Sequence, residues 1–503
     1  NRVKGNRPVG KKVFMQGGVC YNKAVPFAMS QLLGKSIIVP PEPGLMGAFG
    51  VAMEVKKRIN LGLTDKQEFL LDELINRKFE YKKEFICAGG AEKCDRKCSI
   101  SLIEVQGKSY AFGGACNKYY NQYYNLKSDT VHNNIINERQ NLVFNEFLIK
   151  SPEKQPQKTI GILKSFLSNT LYPLYYNYFT NLGLKVVLSE EVDKTSEDKI
   201  RTSYCYPAEI SHGLLGNMLK KNPDYIFIPH ISSMDLKDGD KYSRLCVFVQ
   251  SEGFYLKSSF GSEIKSKLIT PYIDFSKGEI EIKKSFIQTG LLLGKKETES
   301  ETAFEEAYSI YKSMLIEFRE RGRQILSDIE SNPDKFALVL FGRSYNAFAP
   351  EANLNIPHKF ASKNILIIPH DFLPSDDLES YENMYWYSGN QILRAARFVK
   401  NHKQLFGVYI TNFSCGPDSF ILPYFRKIMG KKPSLTLELD SHSADVGIDT
   451  RIEAAIDIIR NYIEINKCVP EAVINDKPDV KILNSDGEIK IVASSGKEMK
   501  INS

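Results

Sequence analysis

The spacing of apolar residues changes in character along the chain. Short apolar segments around glycines over residues 12–54, such as KVFMQGGV and KSIIVPPEPG, predict small strands followed by a helix at GAFGVAMEVKKRI. Residues 66–76 are also expected to be helical. From Phe79 to Tyr120 polar and apolar residues alternate with a period of two, as in ISLIEV, which predicts a small β module.

From Lys158 onward, continuous apolar runs alternate with amphipathic segments, a pattern typical of parallel sheets built from βαβ units. The expected strands are TIGILK, LKVVLS, DYIFIPH, LCVFVQ, FALVLFG, NILIIPH, LFGVYIT and SLTLEL. The expected helices lie near 169–182, 207–221, 302–331, 380–400, 417–429 and 449–465. The tail, DVKILNSDGEIKIVASSGKEMKI, predicts further strands joined by a turn.

These patterns divide the chain into consecutive predicted segments. The Asn-, Lys- and Gln-rich stretch that ends in SPEKQPQ predicts a linker, and the long charged helix near 302–331 predicts a seam between two α/β lobes. The predicted segments are an N-terminal piece at 1–62, a cysteine-rich β module with linker at 63–157, lobes at 158–334 and 335–468, and a β tail at 469–503.

Composition narrows the class of protein. Hydrophobic residues make up 42% and charged residues 25% of the chain, as in soluble globular proteins. The net charge of +7 is spread without a basic block, so nucleic-acid binding is not indicated. No apolar run reaches the length of a membrane span, and the start lacks the apolar core of a signal peptide. We therefore expect a cytoplasmic protein with no membrane or nucleic-acid partner.

Four cysteines lie close together in the β module: Cys87, Cys94, Cys98 and Cys116. In a reducing compartment such a cluster favours a metal site over a disulfide framework. Only the spacing Cys94-x3-Cys98 fits a zinc knuckle. The spacing alone therefore leaves zinc and an iron–sulfur cluster both open.

Three further cysteines are expected near the ends of strands or helices. Cys205 and Cys415 are each followed two residues later by proline, Pro207 and Pro417, which favours the first turn of a helix. A thiolate there is stabilised by the helix dipole. Cys246 lies beside the predicted strand LCVFVQ. If the three meet at one sheet edge, they form a three-cysteine metal site with an open position.

The sequence predicts an anion-binding role for one arginine and solvent exposure for two others. Arg343 follows the strand FALVLFG, at the end where α/β folds bind ligands, and is a candidate for holding an anion such as a CoA phosphate or a carboxylate. Arg394 and Arg397 in ILRAARF are expected on a solvated helix face.

Histidines supply a further set of candidates. Glu209 and His212 form one E-x-x-H pair, the spacing of di-iron bundles, but a single copy in an α/β fold does not support such a site. His230 and His370 each end a predicted strand as I-P-H, where a ligand-facing or a structural role is equally open.

Several strings together resemble a known family. QGGVCYNKAVPFAMSQLLGKSIIVPPEPGLMGAFGVAMEV, SYCYPAEISHG, FGRSYNAF, MYWYSGNQILRAAR, NFSCGPDSF and LELDSHSADVGIDTRIEA are similar to segments of large proteins related to 2-hydroxyacyl-CoA dehydratase activases. The resemblance covers most of the chain. It implies an α/β protein with the C-terminal remnant of an actin/Hsp70/sugar-kinase-type ATPase domain, a β-rich cysteine module, and two dehydratase-like α/β lobes with mainly parallel sheets.

The resemblance also implies a nucleotide site at the start of the chain. Gly17 and Gly18, with Asn22 and Gly47 nearby, match the positions that hold the adenosine of ATP or ADP in such ATPases. The phosphate-binding Asp-x-Gly hairpin of these ATPases does not precede Gly17. The sequence is therefore expected to be an internal fragment of a longer protein, unable to hydrolyse ATP alone.

For the lobes, the resemblance implies a [4Fe–4S] cluster on Cys205, Cys246 and Cys415 that passes low-potential electrons. Relatives often have Cys-Pro where this chain has Cys246-Val247. The implied partners are a dehydratase-like or other reductase acceptor and a ferredoxin or flavodoxin donor, with a homodimer as an open possibility. Two alternatives are a non-catalytic docking scaffold with structural zinc, and a reductase that binds a small substrate at the open iron.

Overall fold

The structure is a computed structural model, and the ranges that it describes cover most of the chain. They are residues 9–66, 68, 70–89, 98–114, 118–127, 129–150, 158–200, 204–235, 240–379, 381–441, 443, 445–468, 481–485, 488–492 and 498–501.

Strands occur in all parts of the chain. They are β1 (Val13–Phe14), β2 (Ile37–Ile38), β3 (Phe79–Ile86), β4 (Ser99–Val105), β5 (Lys108–Phe112), β6 (Thr159–Leu163), β7 (Lys185–Ser189), β8 (Tyr225–Phe227), β9 (His230–Ser233), β10 (Leu268–Ile269), β11 (Tyr272–Asp274), β12 (Ala337–Phe341), β13 (Leu366–Pro369), β14 (Leu405–Asn412), β15 (Ser434–Leu439), β16 (Lys481–Ser485), β17 (Glu488–Val492) and β18 (Glu498–Ile501).

Helices alternate with these strands. They are α1 (Ala24–Leu33), α2 (Met46–Asn60), α3 (Leu71–Ile75), α4 (Lys118–Tyr123), α5 (Thr130–Asn133), α6 (Ile135–Asn141), α7 (Ser168–Asn181), α8 (Lys194–Glu197), α9 (Tyr206–Lys221), α10 (Val247–Gln250), α11 (Glu252–Phe260), α12 (Ser262–Lys265), α13 (Glu279–Leu292), α14 (Glu297–Glu330), α15 (Pro350–Asn353), α16 (Ile356–Ala361), α17 (Tyr387–Asn401), α18 (Gly416–Met429) and α19 (Asp445–Cys468). Single π-helical turns span Leu142–Glu146 and Ser344–Phe348.

The chain divides into two compact units, one formed by residues 1–76 with 456–503 and the other by residues 77–455. In the first unit, β1 and β2 form a parallel pair, and Nη2 of Arg58 on α2 contacts Glu464 at 2.8 Å. The strands β16, β17 and β18 of the tail form an antiparallel sheet. The five-segment division predicted from the sequence stays a prediction.

The second unit opens with an antiparallel sheet in the order β3-β4-β5, which is the β module that the two-residue period predicts. Its first lobe follows with a parallel sheet in the order β10-β8-β6-β7, beside a separate parallel pair of β9 and β11. A Cβ at position 161 of β6 would lie 2.5 Å from the sulfur of Met218 on α9. Gly161 therefore leaves room for the side chain of Met218 where α9 packs on the sheet.

The second lobe contains a parallel sheet in the order β13-β12-β14-β15. Every residue of β12 and β14 is buried, as expected for central strands covered by helices on both faces. The long helix α14 packs on α7 of the first lobe and on the turn His370–Phe372 of the second. A Cβ at Gly322 would collide with the carbonyl of Phe372, so glycine permits this close approach. The predicted fold class, α/β with mainly parallel sheets, is confirmed.

One predicted strand is wrong. The run LCVFVQ contains the short helix α10, with Cys246 as its N-terminal capping residue. A short apolar run rich in valine does not by itself distinguish a strand from a buried helical turn. Here the backbone turns into α10 and then continues as α11, which begins at Glu252.

Candidate metal centre

Cys415 lies where the sequence predicts it, between the end of β14 and the start of α18. It caps the helix, and its Sγ accepts a hydrogen bond from the amide N of Asp418 at 3.4 Å and from Nη2 of Arg343 at 2.7 Å. Burial raises the pKa of the Cys415 thiol well above its usual range, and the charge of Arg343 opposes that rise. The thiol is therefore protonated at neutral pH unless a further positive charge reaches it.

Cys205 occupies the same position on another helix. It is the N-terminal capping residue of α9, with Pro207 in the first turn, as predicted. Burial raises the pKa of its thiol to about 11, while Arg343 and a hydrogen bond from the amide of Ala208 lower it. Cys246, the cap of α10, is also buried, with 8% of its surface exposed.

The three cysteines share one electrostatic neighbourhood. Cys246 lies close enough to raise the pKa of the thiols of both Cys205 and Cys415. The pKa of Tyr345 is raised by burial, lowered by Arg343 and raised again by all three cysteines. Thiols that are far apart in the sequence therefore surround Tyr345 and Arg343.

Arg343 is the positive charge of this region and is only 5% exposed. Its Nη2 contacts Oδ2 of Asp418 at 2.9 Å, and its guanidinium lies over the ring of Tyr345, 5.2 Å from the centroid. Its Nε is buried and has no hydrogen-bond partner among the described residues. Nε of Arg343 is thus an unused hydrogen-bond donor for a group that would lie beside the cysteines.

Sequence reasoning missed Asp418, the residue that positions Arg343. Its carboxylate accepts hydrogen bonds from Tyr409 Oη at 3.0 Å and from Thr411 Oγ1, in addition to the ion pair with Arg343. The available signal was a carboxylate three residues after Cys415, on the first turn of the same helix. Tyr409 and Thr411 lie on β14 and Arg343 follows β12, so Asp418 links two neighbouring strands of the sheet and holds the arginine beside Cys415.

A cavity of about 330 Å³ adjoins the centre. Cys246, Arg343 and Tyr345 lie in its wall, together with residues of α7, α14 and the start of α17. It opens at the carboxyl ends of β12 and β13, where ligands bind in parallel α/β sheets. We call it the interlobe cavity.

Only half of the tight cysteine cluster lies within the described residues. Cys94 and Cys116 fall outside them. Cys87 and Cys98 adjoin paired strands, with the amide of Cys87 donating to the carbonyl of Cys98 at 2.8 Å. The pKa of the Cys87 thiol is lowered by a hydrogen bond from Tyr119, by the backbone at Gly89 and by the charge of Lys118. A metal at this cluster stays a prediction.

The proposed nucleotide residues lie in the first unit. Gly17 has a φ of 100°, a conformation that favours glycine, and its amide donates to the carbonyl of Pro43 at 2.7 Å. Oδ1 of Asn22 accepts from the amide of Ala24 at 3.1 Å, and Gly47 lies in the first turn of α2. These contacts are those of a tight turn, and nucleotide binding at Gly17, Gly18, Asn22 and Gly47 stays a prediction.

The remaining polar candidates have structural partners. His212 uses both ring nitrogens, towards the carbonyl of Ala208 at 2.7 Å and Oγ of Ser259 at 3.0 Å. The prediction that Arg394 is solvated is wrong, because it is 3% exposed and forms a two-pronged ion pair with Asp240. Asp240 is 154 positions away in the sequence, so the local helical pattern could not reveal it.

His370 lies at the end of β13 as predicted and lines the interlobe cavity. Its ring is buried and stacks against Phe341, and Nδ1 lies 3.3 Å from the carbonyl oxygen of Leu340. Burial lowers the pKa of His370 to about 4. The imidazole is therefore neutral at physiological pH.

The described ranges contain neither a grouped set of metal ligands nor a membrane-spanning helix. Among those residues, no three His, Cys, Asp or Glu side chains are grouped so that they could hold a metal ion. No helix in the same part of the chain combines the length and apolar character of a membrane-crossing segment.

Comparison with known proteins gives a family match for the first lobe and the start of the second. Residues 159–373 match the family described as "CoA enzyme activase uncharacterised domain (DUF2229)". No curated protein matches the chain. Among solved structures, the C-terminal domain of glucosamine-fructose-6-phosphate aminotransferase from Francisella tularensis aligns with 66% of this chain and with 93% of its own chain. The sequence identity is 11% and the TM-score is 0.19, which is too low to indicate a shared fold. Residues 159–373 are therefore related to a domain of CoA enzyme activases.

Proposed function

We propose that residues 77–455 form the iron–sulfur part of an ATP-dependent electron-transfer activator similar to the 2-hydroxyacyl-CoA dehydratase activases. The observation that carries the proposal is the shared surroundings of Cys205, Cys246 and Cys415 beside Arg343. The match of residues 159–373 to a CoA enzyme activase domain supports the activase relationship.

The chemistry of the donor set supports a [4Fe–4S] cluster, although the three thiols are not grouped as they would be around a single metal ion. Three cysteine thiols and one buried cation are present, and thiolates are the usual ligands of such clusters. Arg343 Nε is the unpaired donor that a negatively charged group beside the thiols would accept from. A cluster held by three cysteines would supply a low-potential electron and keep one iron open.

In this proposal, the side chains around the cysteines stabilise the thiolates in different ways. Arg343 offsets the negative charge of thiolates in a region where burial disfavours them. Asp418 fixes the guanidinium through the 2.9 Å contact, while Tyr409 and Thr411 fix Asp418. The helix N-termini at Cys205 and Cys415 add further partial positive charge.

The partners follow from the same proposal. Electrons would come from a ferredoxin or flavodoxin and pass to a dehydratase-like or other reductase acceptor, and ATP would bind the activase-type ATPase of which Gly17 and Gly18 are a part. A homodimer is compatible with the proposal.

Anaerobic reconstitution of the full chain with iron and sulfide tests the proposal. We expect a brown chromophore near 400 nm and, after reduction, an electron paramagnetic resonance signal from a cubane cluster. Cys20→Ser, which alters a buried thiol of the other unit, is the matched control and should retain both signals. A protein that takes up zinc alone and remains colourless would contradict the proposal.

A second candidate function has its own supporting observation. The lowered pKa of the Cys87 thiol, in a partly exposed β module, suits a structural zinc site on Cys87, Cys94, Cys98 and Cys116. In that case the lobes would act as a docking scaffold. Three results would favour this alternative. The chain would bind one zinc ion, Cys87→Ser and Cys98→Ser would each abolish zinc binding, and Cys415→Ser would leave it unchanged.

A further inference from the structure

The interlobe cavity has the size of a site for a small organic molecule. Its volume of about 330 Å³ lies at the lower end of the range for ligand pockets. Apolar side chains of both lobes form part of the wall, among them Leu167 on the first lobe and Leu315 and Phe318 on α14. The cavity therefore offers an aliphatic surface in addition to its polar groups.

The cavity wall includes a cationic side chain with an unused donor. Arg343 follows β12, lines the cavity, is 95% buried, and contacts Asp418 and Cys415 through Nη2. Its Nε is buried and has no hydrogen-bond partner among the described residues. A buried N–H without an acceptor costs free energy, which an anionic ligand group would recover.

The cavity wall also includes carboxylates. Asp371 follows β13, and its Oδ2 accepts from Nε of Arg139 at 2.9 Å while Oδ1 is buried without a partner in the described structure. Tyr387 lies within electrostatic reach of Asp235, Asp376 and Asp371, which together raise its pKa in addition to the effect of burial. All three carboxylates line the cavity.

The two unused groups are close neighbours through the sheet. β12 and β13 are paired in parallel, with Leu340 opposite Pro369. Arg343 and Asp371 each lie two residues beyond the end of these neighbouring strands, which are about 4.8 Å apart, and both residues line the cavity. A donor for an anion and an acceptor for a cation therefore lie within the span of one small molecule.

We propose that the interlobe cavity binds a small zwitterionic amino acid, with its carboxylate on Arg343, its ammonium group towards Asp371 and its aliphatic part against Leu315 and Phe318. The unpartnered Arg343 Nε and Asp371 Oδ1 are matched by the two ends of such a molecule. A ligand with a single charge satisfies one of these atoms and leaves the other without a partner. The proposal is made for the metal-free protein, because a cluster at the cysteines would compete for the same Arg343 donor.

Isothermal titration calorimetry on the metal-free full chain tests this proposal. The probes are glycine, 4-aminobutyrate and 6-aminohexanoate, with butyrate and butylamine as analogues that each lack one charge. We expect the best zwitterion to bind at least about 10-fold tighter than either analogue, because each analogue lacks one charge-assisted hydrogen bond. Equal affinity for the zwitterions and the single-charge analogues would overturn the proposal.

Two variants probe the site from different sides. Asp371→Asn should weaken binding of the best zwitterion at least about 10-fold but also disturbs the pair with Arg139. Ser388→Leu changes no charge and fills the cavity from α17, so it should abolish binding. Ser327→Leu, on an exposed part of α14 outside the cavity, is the matched control and should bind as the parent does. Undiminished binding in Ser388→Leu, with a native circular dichroism spectrum, would exclude the cavity as the site.

Discussion

The two sets of cysteines lie in opposite surroundings. Cys87 is in a small, partly exposed β module, where Tyr119, Gly89 and Lys118 lower the pKa of its thiol. Cys205 and Cys415 lie between the α/β lobes, where burial raises the pKa of theirs. Proximity in the sequence therefore does not predict which thiols share a buried, charge-balanced site.

The largest expected effect concerns the ion pair that supports the buried set. Asp418→Asn removes the carboxylate from Arg343 and leaves a guanidinium that is 5% exposed without its counter-charge. We expect a loss of about 3–5 kcal/mol in the free energy of unfolding, measured by urea denaturation.

The matched change in the β module is Glu80→Gln, which removes an exposed partner of Lys82. Exposed ion pairs contribute little because solvent screens them, so the stability should hardly change. Equal effects of the two substitutions would refute the difference in burial on which the comparison depends.

The next effect concerns thiol reactivity in the metal-free protein. Because the thiolate is the reacting form, Cys87 should be alkylated by iodoacetamide at pH 8 at least about 100-fold faster than Cys205, whose pKa is about 11. Peptide mass spectrometry over a time course measures both rates. Comparable rates would show that burial does not suppress the thiolate of Cys205.

A third prediction uses a buried carboxyl of the first lobe. Burial raises the pKa of Glu252 to about 7, from an ordinary value of 4.5. The folded protein therefore holds a proton that the unfolded chain releases, and the stability contributed by Glu252 falls as the pH rises from about 4.5 to 7. Glu252→Gln should remove this dependence and stabilise the protein by up to about 3 kcal/mol at pH 8. Unfolding curves at several pH values that remain parallel for parent and variant would contradict this.

The smallest effect concerns a carboxyl of the β module with the opposite shift. Hydrogen bonds from Ser101 and Ser99 lower the pKa of Glu84, so its contribution to stability is present above pH 4.5 and is lost as the pH falls through the lowered value. Glu84→Gln should make the protein slightly less stable near pH 8 and leave its stability unchanged below the lowered pKa, so that unfolding becomes less sensitive to acid. A pH dependence in the same direction as that of Glu252→Gln would contradict the comparison.

Local patterns revealed much of the fold. β12, β13 and β14 are continuous apolar runs between helices, and a fully buried parallel strand has that appearance in any sequence. The Cys-x-Pro pattern likewise placed Cys205 and Cys415 correctly at helix N-termini. Both features depend on short-range steric and hydrogen-bonding rules.

Contacts between distant segments were beyond sequence reasoning. Arg394 appeared solvated because its partner Asp240 lies far away in the chain. The link between Arg343 and Asp418 was hidden in the same way, since it depends on how β12 and β14 pair. The strand predicted at Cys246 was wrong because a valine-rich run suits a short buried helix equally well.

The central claim is that the scattered cysteines, and not only the tight cluster, bind iron. The most direct measurement is the iron and sulfide content per chain after anaerobic reconstitution of the parent, of Cys205→Ser/Cys246→Ser/Cys415→Ser, and of Cys87→Ser/Cys98→Ser. The proposal predicts that the first variant loses about four iron atoms per chain, as expected for one cubane cluster, and that the second keeps them. Unchanged iron in the first variant would contradict the assignment.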